Sequence, residues 1–508
     1  TIRISSFFIF CSSSSSSSFH YLHHLHLLHH LSAIMSAAMI GLTSIAISIV
    51  GFHAYLVNNA KKLKAFLKEN YDLSKSILVK GGGLEAMVWR IMPSFGTHAI
   101  ASGWDDEKVE RLKACIQKVA ELNPILTGKL YFLNGELRIV PGLYPPSKHL
   151  FYKEYDMPES LKDKDLGSMT ALQLLRVMQD EILPCLPQRI SHVVNYEMRK
   201  EIPLFQVYLM RLPNNCLFYF IVISHAIGDA STYSFITRSL SQLMEQSDSK
   251  NKNKQVDVTT ISWANNCGSE KDCALKGVAS KRDHYRMYGL PTIVHGLGQL
   301  IGFLLTPSEK RHQSFLILSR EKINKKKQEL LDKERNPYLT SNDIIMAAMC
   351  DATTNHRVVS MVVSMRSKTF RYPEFDDEKK KWVTIPKNAG GTLLRRVPFL
   401  RTKGCDPNMI HLYARQNKPA FEPDTVPTYA LMTTAFAVSN WSSVTKPLVV
   451  EGTTRLAEMV HPSYIKNAVG PRSAVFDLDE NHIGVTYNTE SLDRSRPFLQ
   501  DIMASQMS

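Results

Sequence analysis

The most constraining feature of this chain is an apolar run, Leu217 to Ile223, that stops at a histidine. Its length and β-branched content are those of a strand buried on both faces. His225 follows at its end, and Asp229 follows four residues on, across Ala226, Ile227 and Gly228. A helical pattern then begins, with Tyr233, Phe235, Ile236, Leu240 and Leu243 at helix-like spacing. A histidine at a strand end, before a tight turn, can present its ring to a cleft, and the small residues let backbone or a ligand come close. His225 is therefore a candidate general base, with Gly228 shaping the turn and Asp229 bracing it. A plainer reading makes His225 a satisfied core histidine and Asp229 a helix N-cap. The segment is delivered by a second strand, Leu204 to Arg211, across a turn at Pro213-Asn214-Asn215.

Around this centre the chain has room for two or more domains in its 508 residues. The hydrophobic content of 44% and charged content of 21% are ordinary for a globular protein. The formal net charge of +14 suits an anionic partner such as a membrane surface or a CoA-type substrate. Nucleic acid is not supported, because no zinc-finger spacing, P-loop or RNA-binding signature accompanies the charge. The eight cysteines are scattered and read as reduced thiols.

Residues 1–34 carry a serine run and a His/Leu tract, and read as a leader outside the fold, with Met35 or Met39 as the start. A metal-binding histidine tract is the alternative. Residues 36–57 hold no Asp, Glu, Lys or Arg and are long enough to span a bilayer. Lys61, Lys62, Lys64 and Lys68 follow at once. By the positive-inside rule this predicts a single-pass anchor with the bulk of the chain in the cytosol, the endoplasmic reticulum being one candidate membrane.

Further along, Asp105 to Glu121 has the pattern of an amphipathic helix, and Phe132 to Leu137 that of a hairpin turning at Asn134-Gly135. Glu321 to Arg335 reads as a charged helix. Thr340 to Asp343 supply capping residues for an apolar helix from Ile344 to Thr354. Val358 to Ser364 and His482 to Asn488 read as strands, and Phe436 to Trp441 as a strand ending in Ser439-Asn440-Trp441.

His225-Ala-Ile-Gly-Asp229 resembles the HxxxD motif of the chloramphenicol acetyltransferase-like acyltransferases, which include the plant BAHD enzymes, wax ester synthases and peptide-synthetase condensation domains. Asn123-Pro-Ile-Leu-Thr-Gly-Lys-Leu130 resembles the run that follows their first long helix, and Asn388-Ala-Gly-Gly391 their asparagine-glycine bend. The resemblance implies an α/β fold of two similar halves, mixed β-sheets flanked by helices, here preceded by the N-terminal transmembrane helix. The halves would occupy residues 85–250 and 311–508, with a crossover over 251–310. It further implies acyl-CoA as co-substrate with no other cofactor and no metal, a hydroxyl acceptor of hydrophobic character, and Arg366 paired with Asp229. A carboxylate in a dry channel requires a cation or several donors. Ser439, Asn440 and Trp441 are candidates for oxyanion donors or channel wall. The chain departs from the BAHD branch at Pro447 to Gly452, where a DFGWG segment is missing, and at Ala230, where many members have glycine. An idle fold serving as a binding protein, or an amide-forming condensation enzyme, are the other functions compatible with these residues.

The anchor has a direct test. The protein is expected to sediment with membranes, to resist alkaline carbonate, and to lose its C-terminus to protease added to intact microsomes. The sequon Asn440-Trp441-Ser442 should stay unglycosylated. Release by carbonate, or a protected C-terminus, would refute the topology.

Overall fold

The computed structural model describes residues 65, 77–80, 95–133, 136–140, 142, 151–186, 204–225, 227–247, 313–353, 358–364, 369–371, 382–384, 394–400, 405–416, 435–442, 445–460, 472–488 and 492–505. All but the first of these lie in one compact unit, Phe66–Ser508. Among them no helix is long and apolar enough to cross a membrane; the predicted span 36–57 lies outside them, as do Arg366 and Asn388 to Gly391.

In chain order the first elements are β1 (Ile77–Lys80), β2 (Phe95–Ser102), α1 (Asp106–Leu122), β3 (Lys129–Leu133), β4 (Glu136–Val140) and β5 (Tyr152–Tyr155). They are followed by α2 (Ala171–Val177), β6 (Phe205–Leu212), β7 (Cys216–Ile223) and α3 (Ala230–Gln246). Asp105 caps α1 by accepting from Lys108 N–H, so the helix begins one residue later than its sequence pattern suggests. Strands β3 and β4 pair antiparallel, as the hairpin pattern predicts, while Asn134 and Gly135 lie outside the described residues. The β6–β7 turn runs through Asn214 and Asn215 at φ 56° and 54°, left-handed backbone that asparagine tolerates better than most residues.

The later elements are β8 (Gln313–Ser319), α4 (Arg320–Leu330), α5 (Ser341–Ala352), β9 (Val358–Ser364), β10 (Thr369–Arg371), β11 (Trp382–Thr384) and β12 (Leu394–Leu400). After them come α6 (Pro407–Gln416), β13 (Ala435–Asn440), β14 (Thr454–Val460), β15 (Arg472–Asp477), β16 (His482–Asn488) and α7 (Pro497–Ile502). The charged helix is shorter than its sequence suggests. It ends at Leu330, because Leu331 turns extended and Asp332 folds the next residues into a turn, accepting from Glu334 N–H through its side chain and from Asn336 N–H through its carbonyl. Helix α5 opens on a reciprocal capping box: the Thr340 hydroxyl accepts from Asp343 N–H while the Asp343 carboxylate accepts from Thr340 N–H.

Two mixed sheets carry the architecture. One has five strands in the order β14-β2-β7-β6-β5, and the other six in the order β12-β9-β13-β15-β16-β8. Each sheet has its own apolar cluster, centred on β2, β7 and α3 in the first and on α5, β9 and β16 in the second. The sheets do not divide where the chain divides. Strand β14 comes late in sequence yet pairs antiparallel with β2 at the edge of the first sheet. Its Glu458 N–H also donates to Leu478 C=O, at the end of β15 in the second sheet. The segment leading into β14 lies along α3, where Thr237 Oγ1 donates to Lys446 C=O and Val449 N–H donates to Ser241 Oγ.

Candidate active site

Strand β7 is buried along its whole length and ends at Ile223. Ser224 N–H still donates to Leu204 C=O of the neighbouring segment, so the strand stays anchored one residue further. Ile227 N–H then donates to Ser224 C=O, closing a tight turn that carries His225 at its edge, half-buried. Gly228 is required by close approach: a Cβ there would lie 2.6 Å from the Thr232 side chain in the first turn of α3. Asp229 caps α3, its Oδ1 accepting from Ser231 N–H at 3.1 Å and Thr232 N–H at 3.0 Å. It is only 1% exposed, so this carboxylate brings a negative charge to the positive end of a helix inside the protein. The structure thus shows the cap reading of Asp229, at the start of the helix that follows the histidine turn. Arg366, its expected partner, lies outside the described residues.

The facing half contributes the end of β13. Trp441 N–H and Ser442 N–H both donate to Val475 C=O, which turns the chain sharply after Asn440. The Trp441 indole Nε1–H donates to Ser439 Oγ at 3.0 Å. Its ring is 2% exposed and packs on Phe95, with centroids 5.1 Å apart at 81°, and on Tyr233 at 6.2 Å. Phe95 in turn meets His225 at 4.8 Å and 62°. His225 and Trp441 are thus gathered around one phenyl ring, and Ser439 joins through the indole. Asn440 is differently employed. Its amide donates to Asn342 Oδ1 on α5 at 2.6 Å, and its carbonyl oxygen accepts from Ser442 Oγ.

Sequence reasoning missed a buried polar group next to this arrangement. Register pairing places Phe95, Thr97 and Ala99 of β2 on one face with Ile223, Ile221 and Tyr219 of β7. A bulge between Arg455 and Ala457 shifts β14 by one residue, so Arg455 and Glu458, three apart, come to the same face. There Arg455 Nη1 donates to Glu458 Oε2 at 2.5 Å, and the Thr97 hydroxyl lies 2.6 Å from Tyr233 OH. Burial pushes the Glu458 carboxyl above the ordinary range, against the pull of the Arg455 charge and of hydrogen bonds from Arg455 and Thr97; Asp477 adds to the rise. Burial, with the nearby Glu458 charge, likewise holds the Tyr233 phenol well above its usual value, so it stays a neutral hydroxyl. No local pattern marks Glu458, because the bulge and its partners on β2 and α3 exist only after β14 has paired.

No family model matches the chain, and no curated protein does. Among solved structures, TRI101 of F. sporotrichioides complexed with coenzyme A and T-2 superposes with a TM-score of 0.50 at 11% identity, covering 84% of this chain and 99% of that one. The fold is that of the chloramphenicol acetyltransferase-like acyltransferases. Two further chains superpose less well: polyketide synthase associated protein 5 from Mycobacterium tuberculosis and the first condensation domain of the CDA synthetase. The former has a TM-score of 0.48 at 12% identity over 84% of this chain and 96% of that one. The latter has 0.45 at 11% identity over 82% and 90%. Within this acyltransferase-like fold, His225 stands at a strand end of one half and Ser439 to Trp441 at a strand end of the other.

Two substitutions probe the site's electrostatics. Asp229→Ala removes a cap worth about 0.5–2 kcal/mol; if the carboxylate also compensates a buried cation, the loss reaches about 3–5 kcal/mol. The larger loss is expected, read from denaturant midpoints, and the smaller one would leave Asp229 a cap alone. Glu458 has a raised folded pKa, so the folded state binds more protons than the unfolded one across that interval. Its contribution is complete below the ordinary carboxylate value near 4.3 and is lost as pH rises through the raised value. Glu458→Gln is expected to flatten stability against pH in that window; an unchanged slope would show that the carboxyl is not raised.

Proposed function

We propose that this protein is an acyltransferase that moves an acyl group from acyl-CoA to a hydroxyl acceptor, with His225 as general base. The observation that carries the reading is the meeting of His225 and the Ser439–Trp441 strand end around Phe95, from opposite halves of the fold. The TRI101 structure with coenzyme A and T-2 supports it by analogy, since that protein has this fold and holds coenzyme A.

In this reading His225 accepts the proton of the acceptor hydroxyl as its oxygen attacks the thioester carbonyl. The carbonyl oxygen becomes an oxyanion, and donors must already face it. Ser439 suits that role: its oxygen accepts from the Trp441 indole, leaving its own hydroxyl proton to donate. Collapse expels the CoA thiolate, which takes the proton from His225, so the base is restored and the products are ester and thiol. A neutral imidazole is available near neutral pH, since an unperturbed histidine titrates at about 6.5. Asn440 has its amide and carbonyl committed to Asn342 and Ser442, and its role is to hold the strand end. Asp229 acts through structure, and its pairing with Arg366 is part of the proposal. The apolar stretch 36–57 with the lysines after it supports a membrane anchor, and with it a lipid-like alcohol as acceptor.

The test is thiol release from a long-chain acyl-CoA against fatty alcohols, sterols and diacylglycerol. His225→Ala is expected to lower turnover by about 10²–10⁴ while folding and acyl-CoA binding persist. His225→Asn should be as inactive and at least as stable. Equal turnover by wild type and His225→Ala would remove the base. Binding of acyl-CoA without turnover on any acceptor would favour an idle fold.

A further inference from the structure

We infer that Phe95 is a positioning residue for His225 and couples the imidazole to Trp441 of the facing half; its catalytic consequence rests on His225 being the base. Phe95 opens β2 and pairs with Ile223, the last residue of β7. His225 lies two residues further on, in the turn, and its ring meets Phe95 there. The phenyl ring is fully buried, and it meets the imidazole and the indole in separate edge contacts, 4.8 Å at 62° and 5.1 Å at 81°.

The ring is held from its own backbone as well. At Gly96 a Cβ would come within 1.9 Å of Ile221 C=O, so β2 lies against β7 too closely for any side chain there. Thr97, the next residue on Phe95's face, is bound at 2.6 Å to Tyr233 of α3, the helix that Asp229 caps. Phe95 is therefore fixed on the base's side, while Trp441 is fixed on the other by its backbone bond to Val475 and its indole bond to Ser439. Imidazole, phenyl and indole form a continuous contact across the boundary between the sheets. Two consequences follow for His225. One side of its ring is shielded from water, which favours the neutral form. Its orientation also follows the position of the Ser439–Trp441 strand end, so base and oxyanion donor keep register with each other.

The experiment uses the full chain labelled with [13Cε1]-histidine, the His225 signal being assigned by its loss in His225→Asn. Phe95→Leu keeps an apolar side chain but removes the ring; Phe95→Met serves the same purpose should the leucine variant fail to fold. The His225 titration midpoint is expected to rise by about half a pH unit as water reaches the ring. Turnover should fall roughly ten-fold, with KM for acyl-CoA held within about two-fold and the acidic limb of the pH profile moved with the midpoint. A lowered melting temperature with an unmoved midpoint and an unmoved pH profile would overturn the inference and make Phe95 core packing alone. If wild type turns over no acceptor while the midpoint still moves in Phe95→Leu, the coupling stands and the base reading falls.

Discussion

The pairing of β14 with β2 is the interaction on which the remaining architecture depends. A strand from the last quarter of the chain hydrogen-bonds to the first strand of the N-terminal sheet, and one of its amides also reaches the end of β15. The ladder satisfies backbone groups that would otherwise lie buried and unpaired, at a cost comparable to a lost hydrogen bond each. Through that amide it also links the first sheet to the second. The connection back to β13 is pinned along α3, so Leu448 and Val450 enter the core of the first half. The two sheets are thereby joined close to the residues gathered around Phe95.

Charge is handled differently on the two sides of this junction. Asp229 is buried but meets the amide dipoles at the start of a seventeen-residue helix, an arrangement favourable to a carboxylate. Glu458 is buried beside Arg455 with Tyr219, Tyr233 and Thr97 around it, and there burial outweighs the guanidinium. Arg320 forms a further ion pair with Asp477 close by. A buried pair of this kind contributes little net stability over an apolar substitute but penalises loss of either partner. Its physical effect is specificity of alignment, because β14 displaced by one residue would turn Glu458 away from Thr97.

In the second half, Asp343 shows the same economy of a short polar residue at a helix start. It closes the capping box with Thr340 and also accepts from His411 Nδ1 of α6 at 2.8 Å, tying two helices through one carboxylate. Capping residues were legible over Thr340 to Asp343, whereas the reciprocal box and the histidine, 68 residues later, were not. The helix expected over 321–335 forms but stops short for a related reason. Its charge pattern continues, but the local bonds of Asp332 to the following backbone compete with the helix and end it at Leu330.

By itself the sequence determined the local elements whose signal is periodic or capped. These are the fully buried β7 ending before His225, the Asp229 cap with Gly228 tucked against Thr232, the asparagine turn, helix α1 behind Asp105, and strands β9 and β16. Each depends on side-chain alternation or on bonds a few residues long, so the chain carries them before it folds. Tertiary structure alone decided which distant residues share the site. Phe95 is an ordinary apolar residue until β2 pairs with β7, and Trp441, a candidate by resemblance, meets it only in the folded chain. Glu458 is one more charge until a bulge turns it inward. Their roles arise from register between strands separated by more than a hundred residues, and no local pattern encodes that register.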